Sequence, residues 1–158
     1  MGDTISLFPP PLCRLLLVRR RYSRPVNQAP NKPRTEYVID GTKFTTLSET
    51  AAEFTTTLGL DTPWGGNLDA FNDILRGGFG TPDDGFVLIW QHSNLSSERL
   101  GYSETIKWLE NNIETCHLTN VPHMQQRLDS ARRGEGQTLF DVLVEIIRCH
   151  HDIELRLQ

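Results

Sequence analysis

Three short apolar segments of the chain have the length and residue types of β-strands. Tyr37–Gly41 (YVIDG) is rich in β-branched residues and ends in an Asp-Gly turn, and Phe86–Trp90 (FVLIW) is apolar throughout. Asp152–Leu157 (DIELRL) alternates strictly, which is typical of a strand at a sheet edge with one wet face. Because Phe86–Trp90 has no polar face, we expect it to be the central strand, covered on both faces and flanked by the other two.

Helical periodicity fills the segments between these strands. Thr46 and Glu49 predict a capping box at the start of a helix that ends at Gly59. Thr138–His150 (TLFDVLVEIIRCH) predicts a helix before the last strand, and Ser103–Cys116 can form one that begins at a Ser103 cap. A shorter helix then runs into a Gly-rich loop. Strands separated by helices indicate an α/β fold with parallel strands and right-handed crossovers.

One further helical segment, Gly65–Gly78 (GGNLDAFNDILRGG), carries two like charges on one face. Asn67 suits the N-cap, and Gly77 suits the position just after the helix. The periodicity places four polar residues outward, namely Asp69, Asn72, Asp73 and Arg76. Asp69 and Asp73 repel each other by ~0.2–0.5 kcal/mol. The helix dipole stabilises Asp69 in the first turn, whereas Asp73 lies beyond its reach and is left to pair with Arg76.

Charge is divided unevenly along the 158 residues. Residues 1–35 carry seven Lys and Arg against one acid, a net charge of +6, and are rich in Pro without periodicity, so we expect a flexible basic tail. Residues 36–158 form the predicted domain and carry nineteen acidic and nine basic side chains, a net charge of −10. Such a domain repels nucleic acid and favours a cationic partner. A basic arm that contacts RNA or a membrane is the alternative interpretation of the tail.

The cysteines and the lengths of the apolar runs predict a cytoplasmic protein. Three cysteines are an odd number without a disulfide-like spacing, which favours a reducing compartment. No apolar run approaches the ~20 residues of a membrane span. The apolar stretch near the N-terminus is short, is interrupted by Arg14 and precedes the arginines, unlike a secretory signal.

Three blocks of the sequence resemble the barstar family of small intracellular ribonuclease inhibitors. The blocks are VIDGTKFTTLSETAAEF, WGGNLDAFNDILRGG, and FVLIW together with the ending TLFDVLVEIIRCHHDIELRL. The second block carries the most specific motif, Gly-x-Asn-Leu-Asp-Ala. The resemblance runs from about Tyr37 to Gln158 and implies a three-stranded parallel sheet, in the order 1-2-3, packed with helices. An insertion of roughly thirty residues, at about 103–136, separates this chain from the compact family member.

The resemblance also implies a partner and a set of contact residues. Family members block the active site of a barnase-type secreted ribonuclease in a 1:1 complex, using an acidic helix and the adjoining loop. The positions that match the family's contacts are Asp69, Asp73, Glu145, Asn72, Gly77, Trp64 and Phe79. Asp73 matches the dominant contact aspartate. Pro63 and Asn72 stand where the family commonly has aromatic residues.

This implied role gives a reason for the like charges on the Gly65–Gly78 helix. A ribonuclease binds a phosphodiester with Arg, Lys and protonated His side chains, and a carboxylate that enters this cleft can take the place of the phosphate. An inhibitor of this kind is not an enzyme. It needs no catalytic residue, cofactor or metal, and no direct binding of nucleic acid is expected.

Other interpretations stay open from the sequence. The chain could be a barstar-like immunity protein for a different toxin, since two contact positions depart from the family pattern. Asp69, Asp73 and Glu145 could instead hold a divalent ion for metal-assisted hydrolysis. Cys149–Asp152 (CHHD) suggests zinc, although no CxxC pair accompanies it. The further zinc ligands would be Cys116, His117 or His123.

Overall fold

The computed structural model describes residues 33–158, in which helices separate three strands. The strands are β1 (Thr35–Asp40), β2 (Phe86–Gln91) and β3 (Ile153–Leu157). The helices are α1 (Leu47–Leu58), α2 (Leu68–Ile74), α3 (Ser93–Arg99), α4 (Tyr102–Thr115), α5 (Val121–Arg132) and α6 (Leu139–Arg148), with a 3-10 turn at Leu118–Asn120. Most of the predicted basic tail, residues 1–32, lies outside the described residues, and its role stays a prediction.

β2 is the central strand of a three-stranded parallel sheet in the order β1-β2-β3. Val38 on β1 pairs with Ile89 on β2, which in turn pairs with Arg156 on β3. Parallel neighbours require crossover connections, and the helices between the strands provide them. The α/β fold and the strand order predicted from the sequence are therefore confirmed.

One face of the sheet forms the main core. Phe86, Leu88 and Trp90 project from β2 into this core and are fully buried, and α1, α2 and α6 add their apolar faces. Trp90 makes edge-to-face contacts at centroid distances of 5.2–6.1 Å with three rings, those of Phe44, Phe54 and Phe140. Each fully buried large apolar side chain contributes ~1.5–3 kcal/mol relative to exposure, so this face holds the fold together.

The opposite face of the sheet is exposed at both edge strands, but the central strand β2 has no exposed residue on either face, as predicted. The Arg156 guanidinium on β3 binds Glu36 on β1 at 3.2 Å and Glu154 on β3 at 2.9 Å. The arginine side chain therefore crosses β2, where Val87 is buried. An aliphatic arginine stem can shield apolar surface in this way while its charge stays in water. An ion-paired side chain thus supplies part of the cover of the middle strand on this face.

The predicted boundaries of α1 are confirmed. The Thr46 hydroxyl accepts a hydrogen bond from the Glu49 backbone, and the Glu49 carboxylate accepts one from the Thr46 backbone, as a capping box requires. Gly59 ends the helix with φ = 63°, a left-handed conformation that glycine adopts without steric cost. These two signals set the ends of α1, and Phe54 packs the helix against Phe71 of α2.

α4 and α5 make up most of the predicted insertion. They pack against each other and form a second, smaller apolar cluster. Its buried members are Leu109, Leu128 and Ala131. Gly101 is the N-cap of α4 and no side chain caps this helix, so the predicted Ser103 cap is wrong. Trp108 contacts both this cluster and the main core, which ties the pair to the domain. Among residues 33–158, no helix combines the length and apolarity needed to cross a bilayer.

Candidate partner-binding site

The motif Gly65–Gly78 folds into the short helix α2 and its two flanking turns. Asn67 is the N-cap, as predicted, and its Oδ1 accepts hydrogen bonds from the backbone N–H groups of Asp69 (3.0 Å) and Ala70 (3.3 Å). The helix ends at Ile74, three residues before Gly77, because backbone bonds from Arg76 and Gly77 reach back only three residues. Such bonds tighten the last turn of a helix into 3-10 geometry.

The apolar face of α2 is anchored by aromatic packing. Phe71 is fully buried and lies against Phe54 at a centroid distance of 5.3 Å and against Trp64 at 4.6 Å. Trp64 is only 3% exposed. Its side chain therefore belongs to the core, and its burial favours a supporting role over the predicted contact with the partner. The tryptophan instead holds the loop before α2 against the helix.

The polar face of α2 presents two carboxylates to solvent. Asp69 is exposed and makes no ion pair with another described residue. Asp73 Oδ1 accepts a hydrogen bond from Arg76 Nη1 at 3.1 Å, and the two side chains are 60% and 47% exposed, respectively. An exposed ion pair of this kind contributes only ~0.2–1 kcal/mol. Both carboxylates are thus at the surface, one turn apart, and among the described residues only Asp73 is paired.

Asn72 lies on the buried side of α2, so the prediction that it faces outward is wrong. The residue is 9% exposed, and its Oδ1 lies 3.1 Å from Nε2 of His150, which donates a hydrogen bond to it. A buried polar side chain is stable where a partner satisfies it. Since His150 comes just after Cys149, the C-cap of α6, this hydrogen bond joins the acidic helix to the end of α6. Asn72 positions α2 and has little surface to offer a partner.

His150 is half-buried beside several charged groups. Burial is the main cause that lowers the pKa of this imidazole below its ordinary value of 6.5. The positive charges of Arg76 and His151 lower the pKa further, while Asp152 opposes them. The imidazole is therefore neutral at pH 7 and donates one proton to Asn72.

We expect the protein to lose stability as the pH falls below about 6.5, because the unfolded chain then binds a proton that folded His150 resists. The free energy of unfolding, measured with urea at about pH 7.5 and about pH 5.5, should be smaller at the lower pH. His150→Gln keeps a donor for Asn72 and should weaken this pH dependence, whereas His151→Gln should largely retain it. An unchanged pH dependence in His150→Gln would contradict this assignment.

The remaining predicted contact residues lie in the loop after α2 and on α6. Gly77 has φ = 97°, which favours glycine, and Phe79 is 42% exposed in the same loop. Glu145 on α6 is half-buried, and its Oε2 accepts a hydrogen bond from Gln137 Nε2 at 2.6 Å. Glu145 lines an open depression of about 460 Å³, and Arg148 lines it as well. α6 packs directly against α2.

The described residues do not form a metal centre. Within residues 33–158, no group of three or more His, Cys, Asp or Glu side chains is arranged to hold a metal ion. Among the described residues, Asp69, Asp73 and Glu145 therefore do not converge as a hydrolase site would require, and no such group of described side chains includes Cys149–Asp152.

Comparison with known proteins agrees with this arrangement. A family model described as barstar (barnase inhibitor) matches residues 35–114, just over half of the chain. The match covers β1 to most of α4, and so includes Asp69 and Asp73 on α2 but not Glu145. No curated protein matches the chain. The parallel β1-β2-β3 sheet with its helices is that of the barstar fold, and the family's members are inhibitors without enzymatic activity. The chain belongs to the barstar (barnase inhibitor) family.

Proposed function

We propose that this protein inhibits a barnase-type ribonuclease by inserting carboxylates of α2 into the enzyme's phosphate-binding cleft. Family membership supports a barnase-type target. The exposure of Asp73 carries the finer proposal: its side chain is 60% exposed and, within residues 33–158, is bound by a single exposed arginine. Asp69, one turn earlier, adds a second exposed carboxylate on the same helix.

Charge complementarity is the physical basis of this inhibition. A ribonuclease concentrates cationic side chains where it binds the phosphodiester of RNA. A carboxylate in that cleft accepts charge-assisted hydrogen bonds, which are bidentate when an arginine donates them. Several cations at once can offset the cost of removing Asp73 from water, whereas a single exposed arginine cannot. The inhibitor then acts by occupying the cleft, and it needs no chemistry of its own.

The residues around α2 divide into contacts and supports. We propose Gly77, Phe79 and Glu145 as further contacts, because Phe79 is exposed beside the helix and Glu145 lies on the neighbouring α6. Trp64 supports the helix from behind, and Asn72 on the helix joins it to His150, since both side chains are buried. A helix fixed in this way presents its carboxylates with little loss of conformational freedom on binding.

We expect association with the ribonuclease to be fast at low salt and to slow steeply as salt is added. The net charge of −10 over residues 36–158 attracts a cationic enzyme over a long range, and added salt screens this attraction. Stopped-flow association rates should fall by roughly 10- to 100-fold between about 50 mM and about 500 mM NaCl. An association rate that does not respond to salt would rule out electrostatic steering.

An inhibition assay tests the proposed function directly. The purified protein should abolish RNA cleavage by a barnase-type ribonuclease at a 1:1 ratio, competitively with RNA. A mononucleotide that fills the phosphate site should prevent binding of the inhibitor. Full cleavage in the presence of excess protein, or a ternary complex with the nucleotide, would contradict the proposal.

A second candidate is an immunity protein that neutralises a different toxin. Pro63, which is exposed, and Asn72, which is buried, occupy positions that are commonly aromatic in the family, so the surface lacks two typical hot-spot side chains. The same assay separates the candidates. Failure to inhibit barnase-type enzymes, together with neutralisation of a toxin encoded beside the gene, would favour this second function.

A further inference from the structure

We propose that Arg76 is a specificity-determining residue, an internal cation that a partner must displace before it can bind Asp73. This inference rests on the proposed function of α2. The Arg76 guanidinium holds Asp73 through Nη1 at 3.1 Å and makes no other hydrogen bond or ion pair with the described residues. Asp69, on the same face, has no such arginine partner within residues 33–158. Asp73, which the family resemblance marks as the main contact, is therefore the carboxylate that already has an ion-pair partner.

Arg76 lies at the C-terminal end of α2, next to the face that carries Asp69 and Asp73. It follows the C-cap of α2, and its charge reaches His150 closely enough to help lower the pKa of that imidazole. The guanidinium thus lies at the junction of α2 and α6, beside the carboxylate it binds. A cationic partner that approaches Asp73 also meets the positive charge of Arg76.

This arrangement discriminates between two kinds of cationic surface. An ordinary surface presents one lysine or arginine at a time, and exchanging Arg76 for one such cation gains almost nothing because both pairs are exposed. A ribonuclease cleft presents several cations together in a desolvated pocket, so the exchange is favourable. Specificity is a difference between affinities, and a repulsive element can supply it. Arg76 lowers affinity for all cationic partners, and only a concentrated cluster of cations overcomes it.

Removing the Arg76 charge tests the proposal, with Arg132 as a matched control. Arg132 on α5 is 52% exposed and pairs with Glu110 at 2.8 Å, so Arg132→Ala makes the same change in net charge away from α2. The affinity of Arg76→Ala for a barnase-type ribonuclease should be about two- to fivefold higher than that of the unaltered protein. Arg132→Ala should gain clearly less. Weaker or unchanged binding of Arg76→Ala, or an equal gain in Arg132→Ala, would overturn the proposal.

A second background separates the guarding role from a merely structural one. In Asp73→Asn, the substitution Arg76→Ala should bring no further gain in affinity, because the carboxylate that the arginine guards is gone. A gain that persists in this background would show that Arg76 acts independently of Asp73 and would overturn the inference. Arg76→Gln should behave like Arg76→Ala and keeps the length of the side chain, and thermal melts verify that each variant is folded.

A hexa-arginine peptide distinguishes failure of this inference from failure of the proposed function. If the unaltered protein does not bind the ribonuclease, the proposed function is wrong, whatever the role of Arg76. At low salt, Arg76→Ala should still bind the peptide more tightly than Arg132→Ala does, because an arginine no longer occupies Asp73. Equal affinity of these two variants for the peptide would refute the guarding role itself.

Discussion

Replacing Asp73 with alanine should weaken binding to a barnase-type ribonuclease by between about tenfold and 10⁵-fold. This range corresponds to coupling energies of ~1.5–7 kcal/mol for close charge pairs, which were measured in the barnase–barstar complex itself and are adopted rather than calculated for this chain. The loss is large because cations of the enzyme would stay desolvated without a partner. Titration of ribonuclease activity, or calorimetry for the weaker variants, measures the change.

Asp129→Ala is the matched control for this prediction. Asp129 on α5 is a similarly exposed carboxylate with a distant arginine contact at 4.0 Å, and its removal changes the net charge equally. It should alter affinity only slightly, whereas Asp69→Ala should have an intermediate effect. Asp73→Ala should also unfold with nearly unchanged free energy, since its ion pair with Arg76 is exposed. Equal effects of Asp73→Ala and Asp129→Ala would contradict the role assigned to α2.

Replacing Trp64 with alanine should lower the free energy of unfolding by about 3–5 kcal/mol, the usual cost of truncating a buried aromatic residue. The indole is 3% exposed and packs on Phe71 at 4.6 Å, so its removal leaves a cavity directly behind α2. Urea unfolding measures the loss. At a temperature where the variant is still folded, binding should weaken much less than in Asp73→Ala.

Trp64→Phe separates the supporting role from a contact role. Phenylalanine keeps an aromatic ring against Phe71 and gives up an indole N–H that has no hydrogen-bond partner among the described residues. It should therefore retain most of the stability that Trp64→Ala loses. If Trp64→Ala were as stable as the unaltered protein and bound the ribonuclease far more weakly, Trp64 would be a contact after all.

The strands and the first capped helix could be predicted because their signals are local. Phe86–Trp90 is apolar throughout, which indicated a central strand, and Thr46 with Glu49 predicted the start of α1. The same apolar run predicted cover on both faces of β2, but continuous hydrophobicity does not reveal which groups cover each face. Arg156, with partners on two strands, supplies part of that cover, and only the folded register brings those groups together.

The orientation of residues around α2 depended on contacts that are distant in sequence. Asn72 fits the polar stripe of a helix by spacing, yet it is buried because His150, 78 residues later, provides a hydrogen bond. The supporting role of His150 had no local signal for the same reason. Ser93–Arg99 was missed as a helix because His92 precedes it with φ = 54° and no side chain caps it. The carboxylates of Asp69 and Asp73, in contrast, followed from the motif and the helical period alone.

The fold and the acidic face fit together physically. Phe71 and the hydrogen bond of Asn72 fix α2 from two sides, against the core and against the end of α6. A helix of only seven residues is marginal in water by itself, so these contacts are what keep it ordered. The exposed side of α2 thereby carries the carboxylates of Asp69 and Asp73. The ion pair of Asp73 with Arg76 is exposed and weak, so Asp73 can exchange Arg76 for a cation of the partner.

A double-mutant cycle between Asp73 and a phosphate-binding arginine of the ribonuclease tests phosphate replacement most directly. Dissociation constants are measured for the four combinations of Asp73→Ala and the enzyme's Arg→Ala. We expect a coupling energy of at least about 1.5 kcal/mol, because the two groups form a desolvated pair. Effects that add within about 0.5 kcal/mol would show that Asp73 does not enter the phosphate site.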